Sequence, residues 1–216
     1  MTILYEDRDI IVVDKKGGLL TVSNDKVSEK TAYFILTNYV RKGNLKSKTR
    51  IFIVHRLDKE TSGVIVFAKT PQAKNYLQDN WQSFKKQYFA VVSGILTEKQ
   101  DIITSYLTEN SAHKMYSVSN PENGKLAKTA YKVIKESENR SMLEIELLTG
   151  RKNQIRVHLA EKGHPVINDR KYGKKEPGIK HLTLQSYSLT INHPYTKKEM
   201  TFTAITRLKM PGTSQI

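Results

Sequence analysis

Two stretches of this chain carry side chains whose types and spacing can do chemistry. The first is His55-Arg56-Leu57-Asp58-Lys59-Glu60-Thr61-Ser62-Gly63, a polar segment between apolar runs at 51–54 and 64–68. A polar stretch between two buried strands is a natural place for a functional loop. Thr61 and Ser62 can hydrogen-bond the backbone there, and Gly63 lets the chain bend. A carboxylate held in such a turn, here Asp58, can act as a nucleophile or a base. It can equally brace the turn, or pair with Arg56 or Lys59. The second stretch is Thr149-Gly150-Arg151-Lys152-Asn153-Gln154-Ile155-Arg156-Val157-His158, a turn entering a basic helix. Arg151 and Arg156 can each hold a phosphate or a carboxylate through two parallel hydrogen bonds. The alternative is a solvated basic face. Tyr88, early in an apolar run at 87–92, offers a ring that can stack on a base or simply pack in a strand.

Other chemistries find no support. The chain has no cysteine, so disulfides, thiolate metal sites and a cysteine nucleophile are excluded. No H-E-x-x-H occurs, and His158 and His164 are not spaced as a helical ligand pair. There is no Walker loop and no G-x-G-x-x-G. No metal site and no cofactor are expected.

Charge supplies the partner. Lys and Arg number 36 against 21 Asp and Glu, a net charge of +15. A surplus of that size favours polyanions, because each phosphate contact releases condensed counterions. Residues 1–20 hold no long apolar run and carry Glu6, Asp7, Arg8, Asp9 and Asp14, unlike a signal peptide or a membrane span. A nucleic acid is the expected partner, the alternative being a solvated basic surface, and the lack of cysteine fits a cytoplasmic protein without membrane contact.

The elements that must position these residues follow from periodicity. Residues 3–13 read as strand, turn, strand, and Lys15-Lys16-Gly17-Gly18 as a further turn. Helical spacing runs over 28–41. Thr70-Pro71 starts a helix whose apolar face is Ala73, Leu77, Trp81 and Phe84. Strands are predicted at 87–93, 129–135, 143–147, 182–191 and 200–205, and a helix at 153–162 stopped by Gly163. Strands dominate and short turns join many of them. The prediction is an α+β fold with a largely antiparallel, mixed β-sheet flanked by helices, in one domain over 1–216.

Taken together, the motifs resemble the RluA-type RNA pseudouridine synthases. His55 to Gly63 is similar to the family's H-R-L-D-x-x-T-S-G, and Gly150 to Leu159 to its G-R-x-H-Q-I-R-V-H-L. Gly163-His164-Pro165-Val166, Asp169 and Tyr172-Gly173 resemble the G-H-P-I…D…Y-G that follows. Tyr88 stands at the Tyr of a K-x-Y-x-A strand, and His193-Pro194 at a final H-P turn. The likeness covers about 3–205. Three departures stand out: Lys16 replaces the Pro of an early Lys-Pro-x-G-L, Asn153 replaces a His, and Leu184-Gln185-Ser186 replaces L-H-A.

The resemblance implies an isomerase that detaches a uracil from C1′, turns it and rejoins it through C5, with Asp58 starting the reaction. It implies Arg156 as the basic partner of Asp58, and Tyr88 stacked under the base. Arg56 would fill the space left by a flipped-out base, and Leu184 would form an apolar wall. His55 and Arg151 are further candidates for holding the substrate. No cofactor or metal is implied. Ribosomal or transfer RNA would be the substrate, acted on by a monomer with no obligate protein partner. No S4 domain is expected, since the catalytic motifs begin early. The competing class is a non-catalytic RNA-binding or ribosome assembly factor.

Overall fold

The computed structural model describes residues 1–23, 31–44 and 46–211. They fall into two compact units: Met1–Phe84 with Ser188–Ile205, and Lys85–Tyr187 with Thr206–Ile216.

In the first unit, β1 (Thr2–Glu6) and β2 (Ile10–Lys15) make the expected antiparallel hairpin. Its turn is tied by Asp7, whose Oδ1 accepts from the amides of Asp9 and Ile10 at 2.8 and 2.9 Å. β2 pairs with β4 (Ser62–Ala68), which pairs in turn with β3 (Phe52–Ile53). Ile10 to Val13 and Val64 to Ala68 are each fully buried. Both strands are therefore covered on both faces, which is why they read as continuous apolar runs rather than alternating ones. α1 (Ala32–Arg41) begins at Thr31, whose Oγ1 accepts from the Phe34 amide at 3.1 Å. It occupies the predicted helical stretch from 32 on; residues 28–30 lie outside the described residues. α2 (Pro71–Asp79) starts as expected, with Thr70 capping Ala73 at 3.1 Å and Pro71 in the first turn. It ends before Trp81, so the predicted four-residue face is helical only through Ala73 and Leu77. Trp81 instead stacks on His55, ring centroids 4.1 Å apart.

The second unit is an antiparallel sheet with one helix on it. β5 (Lys85–Ser93), β9 (Arg140–Leu147), β8 (Lys125–Ser137), β6 (Gln100–Glu109) and β7 (Met115–Val118) lie in that order. Every registered pair among them is antiparallel. α3 (Gln154–Glu161) packs Val157 against Leu107, Met115 and Ala127 of this sheet. β10 (Leu184–Asn192) gives its first four residues to this unit and Ser188 onward to the first, where it pairs with β11 (Glu199–Thr203). The α+β class with a largely antiparallel sheet holds.

Candidate active site

Asp58 is half-buried in the irregular stretch between β3 and β4. The backbone on either side of it is held by side chains from far along the chain. On one side, the buried Thr21 hydroxyl donates to Leu57 O at 2.9 Å and accepts from Leu57 N at 3.3 Å. On the other, Lys15 Nζ donates to Lys59 O at 3.2 Å, and Gly18 N to the same oxygen at 2.9 Å. Lys15 is 0% exposed, and its ammonium also donates to Lys16 O and Leu19 O at 3.1 and 2.9 Å. Three carbonyls match the three donors of an ammonium. Burial pushes this lysine down to about 8, against the upward pull of Asp58 and Glu60. Gly17 suits the close approach: a Cβ there would stand 3.0 Å from Glu60 O, tighter than an ordinary contact. The turn thus survives Lys16 in place of the family's proline. The local bracing read from sequence is weaker: Thr61 N donates to Asp58 O at 3.2 Å, while Gly63, at φ 108, supplies the bend into β4.

The two preceding residues differ in character. Arg56 is exposed. His55 accepts from the Val66 amide through Nε2 at 3.2 Å and stacks on Trp81, so it ties its loop to β4.

In the second unit, Tyr88 is 8% exposed and stands opposite Ile145 in β9, which stands opposite Tyr131 in β8. Lys86, two residues earlier and on the same face of β5, is also buried. Burial pulls its ammonium down, against the opposing charge of Glu146. Leu184 is buried at the start of β10.

The Gly150-Arg151 turn is fastened by Gln154, a residue the sequence did not single out. Its Oε1 accepts from Thr149 Oγ1 at 2.7 Å and from Arg151 N at 3.0 Å. Its Nε2 donates to Lys128 O and Thr129 Oγ1, both at 2.9 Å. Arg151 Nε donates to Leu126 O at 2.9 Å. Asn153, replacing the family's His, takes a left-handed backbone at φ 53 ahead of α3, a conformation Asn tolerates well.

Arg156 is 8% exposed and meets Asp169 edge on: Nε to Oδ2 and Nη2 to Oδ1, each 2.7 Å. Burial would raise the Asp169 carboxyl, but Arg156 and the amides of Lys171 and Tyr172 outweigh it and hold it below the usual range. His158, two residues further along α3 and 1% exposed, bonds Thr129 Oγ1 through Nδ1 and Ser105 Oγ through Nε2, each 2.9 Å. Burial pushes this imidazole down to about 4, with Glu161 pulling the other way.

Residues 9–161 match the family model for RNA pseudouridylate synthase. The chain belongs to the RNA pseudouridylate synthase family. Asp58, Tyr88 and Arg156 all lie inside the matched stretch. Among curated relatives, an uncharacterized RNA pseudouridine synthase of Mycoplasma pneumoniae is 37% identical over 94% of this chain, which spans 66% of that protein's length. The dual-specificity RNA pseudouridine synthase RluA of Escherichia coli K12 is 34% identical, over 94% of this chain and 92% of its own. The solved structure of human RNA Pseudouridylate Synthase Domain Containing 1 is similar at a TM-score of 0.75 and 25% identity, over 94% of this chain and 82% of that one. The family resemblance and the fold read from the motifs are both upheld.

Within this pseudouridylate synthase fold, the residues missed in the sequence are Lys15, Thr21, Gln154 and Asp169. Lys15, Gln154 and Asp169 carried a signal as members of quoted motifs; Thr21 carried none. One acid–imidazole cluster, Asp7, Asp9 and His193, has ligand atoms close enough to surround a cation. His193 spends both ring nitrogens otherwise: Nε2 bonds Asp7 Oδ2 at 2.7 Å, and Nδ1 accepts from Tyr195 N and Thr196 N at 3.2 and 3.1 Å. It pins the β10–β11 turn to the β1–β2 turn. No helix among the described residues is long and apolar enough to cross a membrane.

Proposed function

We propose that this chain converts uridine to pseudouridine in RNA, with Asp58 as the acting carboxylate. The observation that carries the reading is the Asp58 loop: a half-buried acid in the family's motif, its backbone clamped at Leu57 and at Lys59. Holding a reacting group in one geometry is worth several kcal/mol of barrier, and a backbone fixed on both sides is how a loop residue achieves it. The bond from C1′ to N1 of the uracil breaks, the base turns, a bond from C1′ to C5 forms, the C5 proton is lost to solvent and N1 takes one up. Asp58 either attacks C1′ or removes the C2′ proton; both routes use a carboxylate on the sugar side of the base.

In this reading the chain is a single catalytic domain with its core over about 3–205. Tyr88 and Arg156 are the further catalytic residues. The target base leaves its helix to be reached, and Arg56, exposed and planar, stacks in the space it vacates. Leu184 lines the apolar side, and His55 and Arg151 support the substrate from the edges of the two motifs. The substrate is ribosomal or transfer RNA, in the cytoplasm, and the working form is a monomer without an obligate protein partner.

The test is tritium release from RNA labelled at uracil C5, taken from cells lacking the gene. The native protein should release tritium, and Asp58→Asn should be slower by at least about a thousand-fold, the scale of losing an acting group. Binding without release by the native protein would favour the RNA-binding or ribosome assembly reading.

A further inference from the structure

The pair of Arg156 and Asp169 is tighter and drier than stability alone requires. Its two bonds are 2.7 Å each, and the side chains are 9% and 0% exposed. A buried ion pair repays its desolvation poorly, and apolar side chains of the same volume often serve a fold as well. Asp169 is itself immobilised: its Oδ1 accepts from Lys171 N at 2.9 Å and Tyr172 N at 3.1 Å. The Tyr172 ring lies 5.2 Å from Arg156 Cζ. That ring is anchored at its hydroxyl, which donates to Asn153 Oδ1 at 3.1 Å and accepts from Met115 N at 3.0 Å. The guanidinium is therefore bounded along its Nε–Nη2 edge by a fixed carboxylate and has a fixed ring beside it. A guanidinium is a rigid planar fork, so fixing one edge fixes the plane and the direction of the Nη1 side.

The geometry points to Asp169 as a positioning residue for the reaction: it sets the plane in which Arg156 meets the reacting nucleotide and, with Tyr172, keeps that plane from turning. This rests on the reading that Arg156 acts in catalysis. Because Asp169 neutralises most of the charge of Arg156, what Arg156 delivers is direction more than net charge. An Asn at 169 would set an amide N–H against an arginine N–H, and the fork would turn away. Misplacement of a catalytic group by about 1 Å costs on the order of a hundred-fold.

The test measures steady-state turnover of RNA by Asp169→Asn, Arg156→Lys, the double variant and Arg156→Ala, each with a melting curve. Asp169→Asn should lower kcat by about a hundred-fold with KM within about threefold. In the double variant the loss should stay within about threefold of Arg156→Lys alone, because a residue acting through another adds nothing once that other is changed. Asp169→Glu keeps the charge while shifting the carboxylate by one methylene; its melting curve reads the overpacking cost, and it should still lose about tenfold in kcat at a temperature where it is fully folded. Multiplying losses in the double variant, or native kcat in Asp169→Glu or Asp169→Asn beside an inactive Arg156→Ala, would overturn the positioning role alone. Full activity of Arg156→Ala would overturn the role assigned to Arg156, and Asp169 with it.

Discussion

His158 shows what one buried side chain can do to the pH response of the protein. It stays neutral between Thr129 and Ser105 because burial pushes its imidazole down to about 4. The unfolded chain takes up that proton near the ordinary value of about 6.5. Between the two values the unfolded state binds more protons, so stability is lost as pH falls from about 6.5 towards 4. The loss amounts to about 3 kcal/mol from this residue. Asp7, Asp101 and Asp169 are held below the ordinary 3.8, and Glu6 and Glu109 below 4.5, so their stabilising effect is lost from about pH 5 downward. The melting temperature should therefore fall from about pH 6.5 to 5 in the native protein and stay nearly level over that range in His158→Gln. An equal fall in both would place the sensitive group elsewhere.

At the level of elements, the Asp58 loop is built by the turn that follows β2 as much as by its own sequence. Thr21 holds Leu57 at both N and O, and Lys15 joins the β2 end to Lys59. Thr21→Val keeps the shape and removes the hydroxyl, leaving two backbone groups of Leu57 without that partner. It should cost about 2 kcal/mol, within the range for an orphaned buried group. It should also lower kcat far more than RNA affinity, since the loop backbone sets where Asp58 points. Native kcat in a variant that melts lower would show that Asp58 is held by other means. The strands not anticipated from sequence were β6 and β7. β6 reads Gln-Asp-Ile-Ile-Thr-Ser-Tyr-Leu-Thr-Glu and is largely exposed along its length, so neither face shows the alternation that marks a half-buried strand.

For the whole molecule, the net charge of +15 sets how it meets RNA. Lysines of β8 such as Lys128 and Lys132 and the exposed Lys48 and Arg50 add to that field. If phosphate contacts dominate, log affinity should fall with log salt at a slope of about −5 or steeper, a loss of about a thousand-fold between 50 and 200 mM. Filter binding or fluorescence anisotropy across that range measures it. A slope shallower than about −2 would make most of the surplus a solvated surface. Asp58→Asn should share the native slope, because an acid contributes no counterion release of this kind.

Taken alone, the sequence determined the family, the α+β class, most strands, and the three side chains nominated for the chemistry. Those features are local: a period, a cap such as Thr70-Pro71, or an uninterrupted motif such as His55 to Gly63. Tertiary structure decided what holds each of them. Thr21 reaches Leu57 across 36 positions and Lys15 reaches Lys59 across 44, in both cases by a side chain bonding to backbone atoms. Every residue presents the same backbone carbonyl, so no residue type marks the receiving end of such a bond. Arg156 finds Asp169 13 positions on, after α3 has ended and the chain has turned back. An arginine in a basic helix has many possible acids. Only packing, which brought one carboxylate to the guanidinium edge and excluded water around both, selected this one.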